Sequence, residues 1–565
     1  MSTQKLVVIG GSAAGAKAAA KARRLNEFAE ITIIQKDPDL SMSSCGYPYY
    51  IGGTFDSRDM LLCTPTGVVR DPVFFLNAKG IRALVNTEVL SIDRTKKTLA
   101  CSHTIEGTKQ NISYDKLIIA TGAIANIPPI PGRELNGITT LLSMKDTDYL
   151  RSVRDQGKVK HAVIIGGGLI GIEACEALQK SGIQVTLVEM LDQVLPFLDW
   201  QPAKLVANHM QEKGVRVCTK TGVKAFNGQD GKLTGVTLDN GSVLPCELAV
   251  MAIGVRPNSK IAKDAGLKIG AFGGITVDAH MQTSDADIYA AGDCVEIENL
   301  NVGGRTFSPM GDLANLEGRV AGENAMLGNC TTFPGTYQTG ICKVFDFSAG
   351  TTGLNEKTAQ KAGITDYTTV LNSSPDKPGF MGAQLVISKL LIATQDQRVL
   401  GYQCVGPGDV SRQVAMAAMA IQGKLTLETL INSDLPYAPP FSLAIDHFIA
   451  SAHIMQNKLK GRMVGISARE VWEKVQKKEE PFILDSRSPE EYKEMHLGIG
   501  ETLIPIGALR KRLHELPLDK NQEIICFCKV SLRGYEAATI LTAHGYTNVK
   551  VLEGGIVAWP YPRKK

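Results

Sequence analysis

"KHAVIIGGGLIGIEACEALQKSGIQVTLVEM", residues 160–190, contains an apolar run, a glycine cluster, a helix-forming stretch and a second apolar run. Gly166, Gly168 and Gly171 have GxGxxG spacing, which predicts a tight turn that presents a helix N-terminus to a pyrophosphate. The second run ends in Glu189, whose carboxylate can accept hydrogen bonds from a free ribose 2′-hydroxyl and would repel a 2′-phosphate. The stretch therefore predicts an α/β dinucleotide-binding unit that prefers NADH to NADPH.

A similar pattern occurs near the N-terminus in "KLVVIGGSAAGAKAAAKARR", residues 5–24, where Gly10, Ser12 and Gly15 hold the fingerprint positions. The next apolar run, "EITIIQKD", ends in Gln35 and Lys36 instead of an acid. That departure weakens the expected ribose contact but leaves the fold signal intact. Two nucleotide-binding units in one chain indicate a flavin beside a nicotinamide.

The composition is that of an ordinary globular protein, with 44% hydrophobic residues, 21% charged residues and a net charge of +4 over 565 residues. This charge gives no support for a nucleic-acid or membrane-surface partner. The 12 cysteines are scattered, so they predict neither a disulfide framework nor a metal site. With no signal-peptide pattern and no spanning apolar run, we expect a cytoplasmic protein of about three or four domains.

Two more stretches support a flavin site: "KLIIATGA" (116–123) contains Thr121 and Gly122, and "DIYAAGDCVE" (287–296) contains Gly292 and Asp293. With the two glycine turns, they resemble the FAD-dependent pyridine nucleotide-disulfide oxidoreductases. The resemblance implies FAD and NADH as cofactors and implies that Asp293 holds the ribityl chain of the flavin.

The stretch "SMSSCGYPYYIGG", residues 41–53, carries a lone cysteine, Cys45, together with Ser41. It resembles the single-cysteine branch of that family, which contains coenzyme A disulfide reductases and NADH oxidases and peroxidases. The resemblance implies that Cys45 lies at the isoalloxazine, and we expect a depressed thiol pKa there. Peroxidases of this branch carry a histidine in the first glycine turn, whereas this chain has Ala13 and Ala14, which argues against peroxide as the main substrate.

The resemblance also implies a coenzyme A site and a homodimer. Lys21 and Arg24 match basic residues that hold CoA phosphates in coenzyme A disulfide reductases, although a solvated helix face would give the same pattern. Residues 333–450 resemble the dimerisation domain of the family. In "DLPYAPPFS", Tyr437 matches a phenol that reaches the active cysteine of the partner subunit; a buried ring is the alternative. A second tyrosine site of the family reads "DKPG" (376–379), so one expected phenol is absent.

Over the last hundred residues, predicted helices and strands alternate with a new, shorter period. Three stretches there, "LDSRSPEEY", "IICFCKVSLRGYEAA" and "LEGGIVAW", resemble a rhodanese domain. The resemblance implies that Cys528 carries sulfane sulfur as a persulfide anion, stabilised by inward-pointing amides and a helix N-terminus. Lys529 and Arg533 would add positive charge, and Ser531 could donate a hydrogen bond. Cys526 is expected to be buried and unreactive.

We therefore expect an α/β chain with two Rossmann-like domains, an α+β dimerisation domain and a C-terminal α/β rhodanese domain. The expected bounds are 1–150 with 254–332 for FAD, 151–253 for NAD, 333–450 for dimerisation, 451–462 for a linker and 463–565 for rhodanese. The predicted function is NADH-dependent reduction of persulfide, polysulfide or CoA persulfide, with Cys45 cleaving the S–S bond and Cys528 binding or delivering sulfur. The alternatives are a coenzyme A disulfide reductase with NADH oxidase side activity and a flavin-gated sulfur carrier or redox sensor.

Overall fold

The computed structural model describes residues 4–564. Their contacts divide the chain into two compact units. The first unit runs to Met190 and resumes over Lys220–Thr336, and the second contains Leu191–Thr219 and the chain from Tyr337 onward. Among residues 4–564, none of the helices combines the length and the apolar character that crossing a lipid bilayer would require.

The first unit begins with a parallel sheet whose apolar strands are buried on both faces. Its strands lie in the order Ile288–Ala290, Lys116–Ile119, Lys5–Ile9, Glu30–Ile34 and Ile81–Leu84. The alanine-rich helix Ala13–Leu25 packs against the helix Gly311–Leu327, and both bury small side chains. Because Ile9 is in register with both Ile34 and Ile119, the carboxyl ends of three strands meet at one edge.

A second parallel sheet in this unit has the same arrangement. Within the first unit, the strands of this sheet lie in the order Gln184–Val188, His161–Ile165, Leu248–Met251 and Ile138–Thr139. The helix Leu169–Lys180 follows the strand His161–Ile165 through the second glycine turn. The two sheets therefore place two similar strand-turn-helix units in one compact body.

Smaller elements complete the first unit. Its antiparallel strands are Thr87–Asp93, Thr98–His103, Lys109–Ser113, Ala123–Ala125, Val223–Gln229, Lys232–Leu238, Val243–Pro245 and Val255–Pro257, and the sheet around Val295–Glu298 adds Ile275–Thr276 and Arg305–Thr306. Its other helices are Tyr47–Ile51, Pro72–Lys79, Met144–Gln156 and Lys260–Asp264, with 3₁₀ turns at Ser44–Gly46 and Arg58–Leu61.

The second unit contains an antiparallel sheet with the strand order Gly340–Val344, Phe347–Gly353, Val399–Gly406, Leu385–Ala393 and Tyr367–Pro375. One face packs on the helices Val410–Gln422 and His447–Leu459 through a core that includes Leu390, Tyr402 and Phe448. The strand Tyr367–Pro375 is an edge strand. This unit also has the helices Trp200–Glu212, Glu356–Lys361 and Leu427–Ile431, the strand Arg216–Cys218 and the 3₁₀ turn Gly379–Met381.

The end of the chain forms a parallel sheet with the strand order Gly465–Ile466, Val549–Leu552, Ile524–Phe527, Phe482–Asp485 and Thr502–Leu503. Along Ile524–Phe527, alternate side chains enter two hydrophobic cores, Cys526 on one face and Phe527 on the other. Its helices are Ala468–Gln476, Pro489–Glu494, Ile506–Leu509 and Leu532–Ala543, with 3₁₀ turns at Leu513–Glu515 and Ile556–Ala558.

Candidate active site

The glycines of the two fingerprint turns divide into packed and open positions. A Cβ on Gly10 would lie 2.1 Å from the carbonyl oxygen of Ala120, and one on Gly166 would lie 2.4 Å from that of Ala252. Gly15 and Gly171 are equally tight, since a Cβ on either would lie 1.9 Å from the first glycine's carbonyl oxygen. A Cβ on Gly168, by contrast, would have no described atom within 4 Å. The first and third glycines therefore build the turn, and the middle position leaves room for a pyrophosphate, which fits a bound dinucleotide.

The residue that ends the second strand of each unit holds the glycine turn. The Gly167 amide donates to Glu189 Oε2 at 2.6 Å, and the Gly11 amide donates to Gln35 Oε1 at 2.8 Å. Gln35 thus substitutes for the acid of the other unit as a support for the turn, a role that the sequence reasoning did not assign. Lys36 pairs with Glu88 at 2.9 Å on the surface.

Two further strand ends approach the first turn. Gly292 donates its amide to Glu317 Oε2 at 2.7 Å, and burial raises the pKa of Glu317 to about 8. Burial also raises the pKa of the adjacent Asp293 to about 6. Thr121 Oγ1 donates to the carbonyl of Asn258 at 2.6 Å, which joins the strand end at Gly122 to the loop after 257. The structure thus brings the four flavin-site residues expected from the sequence to the same edge of one sheet.

Cys45 lies on the 3₁₀ turn Ser44–Gly46 and is exposed. Its Sγ lies 3.5 Å from the point where a Cβ of Gly311 would be, at the start of the helix Gly311–Leu327. Desolvation raises the pKa of this thiol, and the carboxylates of Glu173 and Asp293 raise it further. The protein groups therefore do not produce the expected depressed pKa, because desolvation and the two carboxylates both act in the opposite direction.

The segment around Cys45 is tied to both nucleotide units. The Ser41 amide donates to the carbonyl of Gly11 at 2.6 Å, and Ser41 itself has a positive φ of 52°. Tyr49 donates its hydroxyl to Glu173 Oε1 at 3.1 Å, on the helix that follows the second glycine turn. The thiol is thus held between the first turn and the second helix.

The predicted coenzyme A contacts differ in their surroundings. Lys21 Nζ pairs with Glu323 Oε2 at 2.9 Å, and both side chains are largely shielded from solvent. Arg24 is exposed in the last turn of the same helix. Arg23, which the sequence reasoning did not single out, donates to several carbonyls, including those of Lys79 and Gly80. A free basic face is therefore available at Arg24, whereas Lys21 already has a carboxylate partner.

Tyr437 is 52% exposed and lies in the loop before the helix His447–Leu459. The alternative of a buried ring is therefore wrong for the single subunit. Phe441 and Ile445 of the same loop are also exposed, so the loop presents an apolar surface.

Cys528 follows the strand Ile524–Phe527 and is 1% exposed, at the start of the loop that leads to the helix Leu532–Ala543. Arg533 forms two hydrogen bonds with Glu491, at 2.6 and 2.7 Å. These bonds raise the pKa of Arg533, and the charge of Cys528 raises it further. The Arg533 guanidinium is therefore positioned to favour an anion at Cys528. Lys529, the second basic residue expected at this site, is exposed.

The expectation for Ser531 is corrected by the structure. Ser531 Oγ donates to the carbonyl of Leu552 at 2.5 Å, so its proton supports the loop and is not directed to a sulfur anion. The backbone of Ser531 has a φ of +83°, a conformation that residues other than glycine rarely adopt. Cys526 is completely buried, as expected, and this burial raises its pKa.

Comparison with known proteins agrees with this architecture. Residues 4–309 match the pyridine nucleotide-disulphide oxidoreductases, residues 339–448 match their dimerisation domain, and residues 467–560 match the rhodanese-like domain. The chain belongs to the pyridine nucleotide-disulphide oxidoreductase family and carries an additional rhodanese-like domain. The predicted fold class is confirmed, and the family uses FAD and NAD(P)H. The exact domain bounds and the roles of the individual residues stay predictions.

Three similar proteins indicate the range of the family. A solved NAD-dependent persulfide reductase from A. fulgidus is 42% identical, with a TM-score of 0.93 over 98% of this chain and 100% of that one. A Methanocaldococcus jannaschii protein named NADH oxidase is 32% identical over 81% of this chain and 100% of its own length. A Pyrococcus horikoshii protein named NAD(P)H coenzyme A polysulfide/persulfide reductase is 31% identical over 80% of this chain and 98% of its own.

Proposed function

We propose that the chain is an NADH-dependent flavoprotein reductase of persulfides, polysulfides or coenzyme A persulfide. The observation that carries the proposal is the presence of two distinct thiol sites in one chain. Cys45 is an exposed thiol at the edge where the strand ends of the flavin unit meet, and Cys528 is a shielded thiol in a rhodanese-type loop beside Arg533. The first arrangement suits cleavage of an S–S bond, and the second suits storage of a sulfur anion.

The reductive half of the reaction needs only one protein thiol. FAD, when bound, accepts a hydride from NADH and supplies an electron pair for sulfur reduction. The Cys45 thiolate attacks the outer sulfur of RS–SH, so a new S–S bond forms on Cys45 and the original S–S bond breaks, releasing RSH after protonation. Two electrons then cleave the new bond, which regenerates the Cys45 thiolate and releases HS⁻. The net reaction, RS–SH with NADH giving RSH, HS⁻ and NAD⁺, is balanced.

Coenzyme A is the proposed thiol carrier. The support is the exposed Arg24 at the end of the first helix, which presents a guanidinium for a phosphate, and the printed name of the P. horikoshii relative. Lys21 would bind the phosphate only if its ion pair with Glu323 were broken. We accordingly assign most of the phosphate attraction to Arg24.

We also infer that the working enzyme is a homodimer. The match to the dimerisation domain and the exposed apolar loop with Tyr437, Phe441 and Ile445 support it. In the dimer, Tyr437 would reach Cys45 of the partner subunit and protonate the leaving thiolate.

The deciding experiment compares NADH consumption with CoA persulfide, polysulfide and CoA disulfide, for the wild type and Cys45→Ser. We expect sulfide release from the first two substrates and a loss of at least about 100-fold in Cys45→Ser, with flavin absorbance retained. Cys63→Ser is the matched control, since Cys63 lies in an isolated β-bridge of the same unit. Reduction of the symmetric disulfide alone, or full sulfide release without the Cys45 thiol, would overturn the proposal.

A further inference from the structure

Residues 552–561, the docking segment, hold the backbone of the Cys528 loop. The Ile556 amide donates to the carbonyl of Cys528 at 3.0 Å, and the Val557 amide donates to that of Lys529 at 3.3 Å. Gly555 permits this approach, since a Cβ on it would lie 2.6 Å from each of those two carbonyl oxygens. Because a trans peptide is planar, fixing a carbonyl also fixes the following amide in the opposite direction. The amides after Cys528 and Lys529 therefore point away from the docking segment and are free to face an anion.

The same segment binds the neighbouring antiparallel sheet within this unit. Glu553 Oε2 accepts the amide of Leu371 at 3.0 Å, on the edge strand Tyr367–Pro375. Glu553 Oε1 pairs with Lys458 Nζ at 2.6 Å, and Lys458 also donates to the carbonyl of Thr369 at 2.8 Å. The Glu553 side chain is only 11% exposed, so this pair is partly desolvated and held in one geometry.

A second anchor lies further along the segment. Gln201 Nε2 donates to the carbonyl of Ala558 at 2.8 Å, and Asn208 Nδ2 donates to that of Pro560 at 2.9 Å. Both donors come from the helix Trp200–Glu212. The docking segment thus contacts the Cys528 loop on one side and three other elements of the unit on the other: the edge strand Tyr367–Pro375, the helix His447–Leu459 and the helix Trp200–Glu212.

We propose that Glu553 and Lys458 are positioning residues for the Cys528 site: their ion pair holds the docking segment in the position that orients the amides after Cys528 and Lys529. Glu553 is only two residues before Gly555 and three before Ile556, so a shift of Glu553 is transmitted directly to the bonds on the loop. The inference rests on the proposed function only in assigning a sulfur anion to Cys528. Its geometric content holds for the thiolate itself.

The test measures how readily Cys528 ionises in the full-length protein. The small thiol reagent methyl methanethiolsulfonate is applied over a range of pH, and modification is quantified on the Cys528 peptide by mass spectrometry. In Glu553→Gln and Lys458→Met we expect Cys528 to react about threefold more slowly at neutral pH, because the amides after Cys528 and Lys529 are no longer held toward the thiolate. Lys458→Arg keeps the charge and is expected to restore the wild-type profile.

Glu523→Gln is the matched control, because Glu523 pairs with Lys550 and Lys474 elsewhere in the rhodanese-like domain. Unchanged profiles in both Glu553→Gln and Lys458→Met would overturn the proposal, and so would an equal shift in Glu523→Gln, which would indicate general loosening. The two ion-pair variants lie on different elements, so misfolding of one leaves the other as the test. Since the reagent reports the thiolate without any sulfur substrate, a shifted profile in a protein that reduces no persulfide would overturn only the proposed function.

Discussion

Cys45 Sγ lies beside Gly311, the first residue of the helix Gly311–Leu327, 3.5 Å from where a Cβ on that glycine would be. A helix N-terminus favours a thiolate, whereas desolvation and the carboxylates of Glu173 and Asp293 disfavour it. The ionisation of the Cys45 thiol therefore depends on opposing effects from distant parts of the chain. Removing one of the acids should move the balance in a known direction.

Glu173→Gln is expected to lower the pKa of the Cys45 thiol, because a negative charge near it is removed while the partner of Tyr49 is kept. The pH profile of Cys45 alkylation, followed on its own peptide, measures this change. Glu176→Gln, three residues further along the same helix, serves as the control. A profile that stays in place or moves to higher pH would contradict the assigned role of Glu173.

Cys528 is expected to gain sulfur when the protein is incubated with polysulfide under non-reducing conditions. The wild-type Cys528 peptide should increase in mass by one sulfur atom if, as proposed, the loop beside Arg533 stabilises a persulfide anion. Cys528→Ser should lose that mass increase and retain the flavin. Cys526→Ala should keep it, since Cys526 is buried in the core. Sulfur found on Cys526 instead would show that the storage site has been assigned to the wrong thiol.

Nicotinamide preference should move toward NADPH in the double variant Glu189→Gln with Met190→Arg. The glutamine retains an acceptor for the Gly167 amide, as Gln35 does for Gly11, but no longer repels a 2′-phosphate. Met190 is 74% exposed, so an arginine there can reach the phosphate. We expect the NADPH to NADH ratio of kcat/KM to rise about tenfold, or ~1.4 kcal/mol. An unchanged ratio would place the ribose contact elsewhere.

The Glu491–Arg533 ion pair should stabilise the rhodanese-like domain in a pH-dependent way. Arg533 lowers the pKa of Glu491 from 4.5 to about 2, so its stabilisation is complete above about pH 4.5 and is lost as the pH falls through about 2. Glu491→Gln should destabilise the domain at pH 7 by about 1 kcal/mol, since the pair is partly exposed. Thermal unfolding at pH 7 and pH 3 measures the difference, which should shrink at the lower pH. Equal losses in the exposed neighbour variant Glu490→Gln would refute the specific role of the pair.

The features predicted well from the sequence are those encoded by close spacing. Gly171 packs against Gly166, five residues earlier, and the packed and open positions of Gly166, Gly168 and Gly171 agree with the fingerprint. Cys528 likewise follows directly from its place between a buried strand and a helix. The positions of the second glycine turn and of the Cys528 thiol are thus both indicated by residues close to them in the chain.

The features that sequence reasoning missed depend on contacts between distant residues. Burial and two acids more than a hundred residues away in the chain raise the pKa of Cys45, and neither effect is visible in the residues around position 45. Ser531 has the hydroxyl that the motif suggests, but Leu552 accepts its proton. No spacing rule reveals which of several possible partners a side chain selects in the folded protein.

The bond from Leu371 to Glu553 also affects how the edge strand Tyr367–Pro375 behaves toward other molecules. An uncovered edge strand offers unpaired amides on which a strand of another chain can add, and this is a route to aggregation. Here the Glu553 carboxylate of the C-terminal domain accepts a hydrogen bond from one of those amides, that of Leu371, and places a negative charge beside the strand. The rhodanese-like domain thus protects an edge strand that could otherwise pair with another chain. Removing this domain is expected to lower the solubility of the remaining protein as well as to remove its second thiol.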